Sequence, residues 1–266
     1  MQYETVTYKK ADNIARITLN RPEVLNALND VMLKELPKAV EEASHDDEVR
    51  VLIITGAGHG FCAGGDHKFL STLKTPQGRG HRTPVTEEVM LGQGVVLALR
   101  RTGKPSIAMV NGPAAGAGFD IALACDMRIG SENARFAVSF TKVGLVPATG
   151  TYWMLPRIVG ISQACRLIFT GDPVGAEEAH RIGILDDLVP SNKLEEETMS
   201  LASKLAQGPP IATRFDKMLI YGGLETDLER SLNFGGVCQS VCLDTDDFRE
   251  GLRAFAEKRK PKFQGK

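Results

Sequence analysis

Two runs of small residues, each set directly behind a short apolar stretch, constrain this chain more than any other feature. Val51-Leu52-Ile53-Ile54 leads at once into Gly56-Ala57-Gly58-His59-Gly60. Ser106-Ile107-Ala108-Met109-Val110 leads into Asn111-Gly112-Pro113-Ala114-Ala115-Gly116-Ala117-Gly118. An apolar run of four or five residues bounded by turn signals predicts a strand buried on both faces. Helical spacing is expected between the two units, from Glu87 to Arg100, and again after the second turn through Ile121, Ala122 and Leu123. Strands, turns and helices in that succession predict an α/β core.

Turns of this kind leave backbone N–H groups unpaired and let a ligand approach closely. Two such donors aimed at one point make an oxyanion hole. The same turns can cradle phosphate, or the glycines can do no more than shape tight bends. Neither turn carries the GxGxxG dinucleotide fingerprint, and GxxxxGK[ST], HExxH and GxSxG are all absent from the chain.

Elsewhere the pattern predicts a hairpin, with one arm from Thr5 to Lys9 and the other from Ile14 to Leu19, then a helix from Ala27 to Ala43. Thr72 to Pro84 is polar and rich in Gly, Pro and Arg, the composition of a mobile loop, and His81 on it is a candidate to close over a ligand. A strand is expected at Asp126–Ile129. Beyond Gly160 helices dominate: Gln163–Phe169, Ala176–Arg181, Lys193–Leu205, Ile211–Tyr221, Leu224–Val241 and Asp246–Lys260. The expected division is a core over 1–200 and a helical C-terminal region over 201–266.

The charge balance, 33 acidic against 32 basic residues, excludes wrapping of nucleic acid by bulk charge. No apolar run approaches the roughly 20 residues that span a bilayer, so no membrane partner is expected. The N-terminus lacks a signal-peptide pattern. The five cysteines are odd in number and form no CxxC pair, which points away from zinc and disulfides and towards a reducing, cytoplasmic setting.

Taken in order, a set of segments resembles the enoyl-CoA hydratase/isomerase (crotonase) family over essentially the whole chain. They are Leu19-Asn20-Arg21-Pro22 with Asn26-Ala27-Leu28; Phe61-Cys62-Ala63-Gly64-Gly65-Asp66; the run from Asn111 to Gly118; Ala124-Cys125-Asp126; Val143-Gly144-Leu145-Val146-Pro147; Leu155-Pro156-Arg157; Phe169-Thr170-Gly171; and Ala254-Phe255 to Lys262-Phe263. The resemblance implies a spiral of ββα units, a trimerising helical C-terminus, and a homotrimer or dimer of trimers. It implies an acyl-CoA thioester as substrate, with coenzyme A as part of that substrate and no separate cofactor or metal. The thioester oxygen would be held by the N–H groups of Gly65 and Ala117, the latter at a position commonly glycine. The segment from Ala63 to Lys68 would line the CoA path, with Phe263 as a further substrate contact; Lys68 and the tail residues Lys258, Arg259, Lys260, Lys262 and Lys266 could supply cations for the CoA 3′-phosphate, although most of that tail reads as a solvated helix end. Glu23 stands where relatives often carry a cation.

The family's hydratases use two glutamates. By resemblance the first maps to Asp120 and the second to Phe140, which cannot transfer a proton. An isomerase subgroup places an acid at the position of Ala148. Asp120 is therefore the acid/base candidate, beside its alternative role as a first-turn helix acid. Phe140, with Trp153, suggests an apolar acyl pocket. Asp66 and Asp126 read as structural acids, His67 as an exposed loop residue, and Ser139, Thr141 and Tyr152 as surface or packing residues. Hydration of an unsaturated acyl-CoA is the leading reaction. Isomerisation, thioester hydrolysis, decarboxylation and non-catalytic acyl-CoA binding remain alternatives.

Overall fold

A computed structural model describes residues 3–72 and 87–266. His81 and most of the expected loop from Thr72 to Pro84 lie outside the described residues.

The hairpin forms as the alternation predicts. β1 (Val6–Ala11) pairs antiparallel with β2 (Ile14–Leu19), and the turn between them uses Asp12 and Asn13 at φ +50° and +62°. These are left-handed positions that Asp and Asn tolerate better than most residues. α1 (Asp30–His45) carries the chain over to β3 (Val51–Gly56), parallel to β2. It starts three residues later than the sequence suggests. Asn29 caps it by accepting from the Met32 N–H at 2.9 Å, and Leu25 and Asn26 before it hold positive φ. Met32, Leu33, Leu36, Ala39, Val40 and Ala43 form its buried stripe.

α2 (His67–Thr72) and α3 (Glu87–Arg101) precede β4 (Ser106–Val110), and β5 (Pro113–Ala115) and α4 (Ala117–Ala124) precede β6 (Met127–Ser131). The main sheet is ordered β1-β2-β3-β4-β6-β9, parallel throughout except at β1, with β9 (Asp187–Val189) at its far edge. Side chains of β3 alternate as the pleat requires. Leu52 and Ile54 enter the larger core with α1, α3 and α4; Val51 and Ile53 enter a second core with Ile107, Ile129 and the helix Leu194–Ala206. That two-sided burial is why the run is continuously apolar.

Besides α2 and β9, two larger features went unread in the sequence. A small second sheet pairs β5 with β7 (Arg135–Ala137) in parallel and β7 with β8 (Val174–Gly175) antiparallel. A helix, α5 (Thr151–Val159), precedes α6 (Ile161–Thr170) and α7 (Ala176–Arg181). α8 (Leu194–Ala206) lies on the main sheet, so the expected division after residue 200 falls inside it. α9 (Pro210–Gly223), α10 (Leu228–Leu243) and α11 (Asp246–Ala256) follow. Lys217 ties α9 to the core. Its Nζ lies 2.8 Å from Asp126 Oδ2 and also bonds the Lys104 and Leu99 carbonyls.

Candidate active site

The first glycine turn leaves the C-terminal end of β3, and asparagines from two other segments hold it. Asn26, fully buried, donates Nδ2 to the carbonyls of Ala57 (2.9 Å) and Gly60 (2.8 Å) and accepts from the Arg21 N–H. Asn111, first residue of the second turn, donates Nδ2 to the carbonyls of Gly56, Gly58 and Gly60 at 2.9–3.2 Å. Arg21 reaches Asp66 at 2.9 Å and the Ala27 carbonyl at 2.6 Å. The motif residues Arg21, Asn26, Asp66 and Asn111 are thus a scaffold for the turn.

The two turns run side by side. Cys62 bridges Ala114: its N–H donates to the Pro113 carbonyl at 3.0 Å and its carbonyl accepts from Ala115 N–H at 2.9 Å. This closeness dictates glycine. A Cβ on Gly118 would lie 2.2 Å from the Cys62 carbonyl oxygen, and one on Gly64 would lie 2.7 Å from the Ala115 carbonyl oxygen. Gly64 and Gly116 also hold φ of +91° and +51°.

Gly65 and Ala117 lie within this junction. Leu28 N–H bonds the Gly64 carbonyl and Asp66 N–H bonds the Leu28 carbonyl, so the intervening Gly65 N–H faces away from Leu28. Ala117 opens α4, where the first N–H groups have no partner inside the helix. Among the described residues neither N–H meets an acceptor. Ala63 is anchored next to them by its N–H to the Leu25 carbonyl at 2.9 Å.

Asp120 follows Ala117 on the first turn of α4 and is fully buried. Its two carboxyl oxygens accept separately, one from the Thr149 hydroxyl and the other from the Thr151 hydroxyl. Burial pushes its pKa up to about 6, against the opposing pull of those hydroxyls and of the Thr151 backbone N–H. A carboxyl balanced in this way changes protonation near neutral pH, the range useful for moving protons.

Phe140, half-buried in the short 3-10 turn Ser139–Val143, approaches the second turn at Gly116, where a Cβ would meet its ring at 3.8 Å. Lys68 is exposed on α2, its N–H bonded to Asp66 Oδ1. His67 is exposed beside it. Phe263 is not brought to the turns within the chain. Its carbonyl accepts from Arg50 at the N-terminal end of β3, a strand length of about 20 Å from the turns. Its side chain lines an apolar cavity of about 320 Å³ with Ile211, Phe248 and Leu252.

Trp153 and Phe140 are both partly buried against the larger core. Trp153 stacks between the guanidinium groups of Arg157 (3.9 Å) and Arg100 (5.3 Å), and Arg100 continues onto Tyr221 at 3.4 Å. Asp126 is structural, bonded by Ser106, Lys217 and Tyr221, and Thr141 donates to the Ile168 carbonyl. Thr149 and Thr151 carry no sequence signal as partners of Asp120, because they sit in and just after a loop without periodicity. Among the described residues, no three His, Cys, Asp or Glu side chains gather as a metal site, and no helix is long and apolar enough to cross a membrane.

Comparison with known proteins gives a consistent result. Residues 9–266 match the family profile described as enoyl-CoA hydratase/isomerase. The chain is 37% identical to the short-chain-enoyl-CoA hydratase of Clostridium acetobutylicum over 98% of this chain and 97% of that one. It is 36% identical to the crotonyl-CoA hydratase of Syntrophomonas wolfei over the full length of both. It is also 36% identical, over 95% of each chain, to the 1,2-epoxyphenylacetyl-CoA isomerase of Escherichia coli. Among solved structures, an enoyl-CoA hydratase from Bacillus anthracis superposes with a TM-score of 0.93 at 33% identity, covering 99% of this chain and 100% of that one.

Proposed function

The chain belongs to the enoyl-CoA hydratase/isomerase family, and from that membership we propose that it works through a single carboxylate, Asp120, and a thioester enolate. It is an acyl-CoA enzyme of the hydratase/isomerase type with the crotonase fold. The thioester oxygen accepts from the Gly65 and Ala117 N–H groups, donors each worth about 3 kcal/mol when negative charge develops. For hydration, Asp120 takes a proton from water as the hydroxide adds to Cβ, and the electron pair moves to the thioester oxygen. The same carboxyl then returns the proton to Cα as the enolate collapses, so both parts of the water end in the product.

The observation that carries this reading is Asp120 itself: the sole ionisable side chain on the helix that opens at Ala117, buried, and poised near pH 6. Phe140 and Ala148 offer no second acid. The relatives named for short-chain enoyl-CoA and crotonyl-CoA support a short unsaturated acyl group here, with Phe140 as part of its apolar wall. Ala63 and Lys68 are assigned to the CoA path, Lys68 as a cation for its phosphates. Phe263 contacts substrate from a neighbouring copy rather than from its own chain.

A double-bond isomerase is the second reading. One carboxylate that takes a proton from one carbon and returns it to another needs no second acid, and a relative of equal identity carries an isomerase name. We assign residues 201–266 to oligomerisation, as a trimer or dimer of trimers, on the large exposed apolar side chains of α10 and α11, among them Leu228, Leu232, Phe234, Val237 and Phe255. The five free thiols suit the cytoplasm. Mass spectrometry of unsaturated acyl-CoAs incubated in H₂¹⁸O and in D₂O separates the readings. Label from ¹⁸O in an intact hydroxyacyl-CoA supports hydration, deuterium without ¹⁸O supports isomerisation, and a labelled free acid contradicts both.

A further inference from the structure

Asp120 has no exposed surface, so any proton it exchanges with substrate has to cross the groups that cover it. Two hydroxyls bond its carboxylate among those groups, and they are not equivalent. Thr151, on Asp120 Oδ1, is itself fully buried and also bonds the carboxylate through its backbone N–H. Thr149, on Oδ2, is half-buried. It stands just before α5, where Gln93 Nε2 donates to the Ala148 carbonyl at 3.0 Å and a Cβ on Gly92 would meet the Thr149 methyl at 2.8 Å. The segment is therefore packed on α3 while part of Thr149 reaches the surface.

A hydroxyl can accept a proton on a lone pair while giving up its own, so it passes a proton on without carrying charge in the resting state. A hydroxyl with no exit can only donate, which fixes the carboxylate's orientation. On the packed helices, the described charged side chains Arg100 and Arg157 are turned to Trp153, and Arg101 is exposed at the far end of α3.

We propose that Thr149 is the relay through which Asp120 exchanges protons with the acyl group or its attacking water, and that Thr151 is a positioning residue for the other oxygen. This rests on the assignment of Asp120 as the proton carrier. In the forward step the Asp120 carboxyl gives its proton to Thr149 Oγ1 as the Thr149 hydroxyl proton passes to Cα; abstraction runs in reverse.

The test is steady-state turnover and Cα–D exchange in D₂O, measured with CoA-ester affinity, for Thr149→Val, Thr149→Ser, Thr151→Val and Asp120→Asn. The relay predicts that Thr149→Val lowers kcat and exchange about 100-fold at little-changed KM, with Thr149→Ser within a few-fold of the parent. Thr151→Val is expected to move the pH midpoint upward and lower kcat less than tenfold. If Thr149→Val does not fold, Thr149→Ala against Thr149→Ser gives the same comparison. Parent-like turnover in Thr149→Val, or a mere shift of the pH midpoint, overturns the relay. If Asp120→Asn is then inactive, the assignment of Asp120 stands without it; an active Asp120→Asn overturns both.

Discussion

Asn26 and Asn111 meet at one carbonyl oxygen, that of Gly60, at 2.8 and 3.2 Å. They come from chain segments 85 residues apart by their numbers, one before α1 and the other after β4. The first glycine turn is therefore fixed from both sides before any ligand binds, which is the preorganisation an oxyanion site needs.

Asn26→Ala should strip the side-chain partner from the Ala57 carbonyl and the Arg21 N–H and leave the Gly60 carbonyl to Asn111 alone. We expect a loss of about 3 kcal/mol in urea unfolding, together with reduced turnover. An Asn26→Ala protein of parental stability would mean that the turn holds itself.

Glycine substitutions should change sign between two helices. In an open helix position Gly→Ala stabilises by up to about 1 kcal/mol. Gly94 in α3 has open space where a Cβ would go, so Gly94→Ala should gain within that range. Gly118→Ala on α4 should instead lose about 1–3 kcal/mol, because the Cys62 carbonyl occupies the space. Thermal unfolding of the pair checks both signs.

Asp120 should leave a signature in stability as well as in rate. Its folded pKa of about 6 lies above the ordinary value of 3.8, so the native state binds more protons between them. Stability is then fully present below pH 4, falls as pH rises through 6, and is lower by about 3 kcal/mol above it. Asp120→Asn should remove that slope and be the more stable protein at pH 8. As a base the carboxylate must be ionised, so kcat/KM should rise with pH to a plateau above about 6.

Lys217→Ala should be costly. Lys217 and Asp126 form a pair 2.8 Å apart with side chains 7% and 16% exposed, and removal of Lys217 leaves the Asp126 charge held by Ser106 and Tyr221 but without its cation. About 3–5 kcal/mol should be lost in unfolding experiments. A loss below 1 kcal/mol would show that α9 does not depend on this contact.

How far the sequence alone carries can be judged from these same residues. β3 and β4 were legible because burial on both faces forces unbroken apolar runs, and the turns behind them because Gly64 and Gly118 leave no room for a side chain. The second sheet was not, since β5, β7 and β8 are two or three residues long and too short for a period to show. α5 was hidden by Gly150 before it, which offers no capping side chain, and by Pro156 inside it. Asp120 could be picked out by its place after the second turn. The hydroxyls that hold it lie 29 and 31 residues away, and only the packing of α4 against α5 brings them together. Phe263 shows the reverse limit, a motif residue that the chain's own fold sets beside Arg50 instead of the turns.

The most direct test of the single-carboxylate account is turnover by Asp120→Asn with crotonyl-CoA and other unsaturated acyl-CoAs, measured beside CoA-ester affinity. Affinity close to the parent's with kcat lower by about 100-fold or more is the predicted result. Unchanged kcat at unchanged affinity would contradict it, and would move the proton chemistry away from α4.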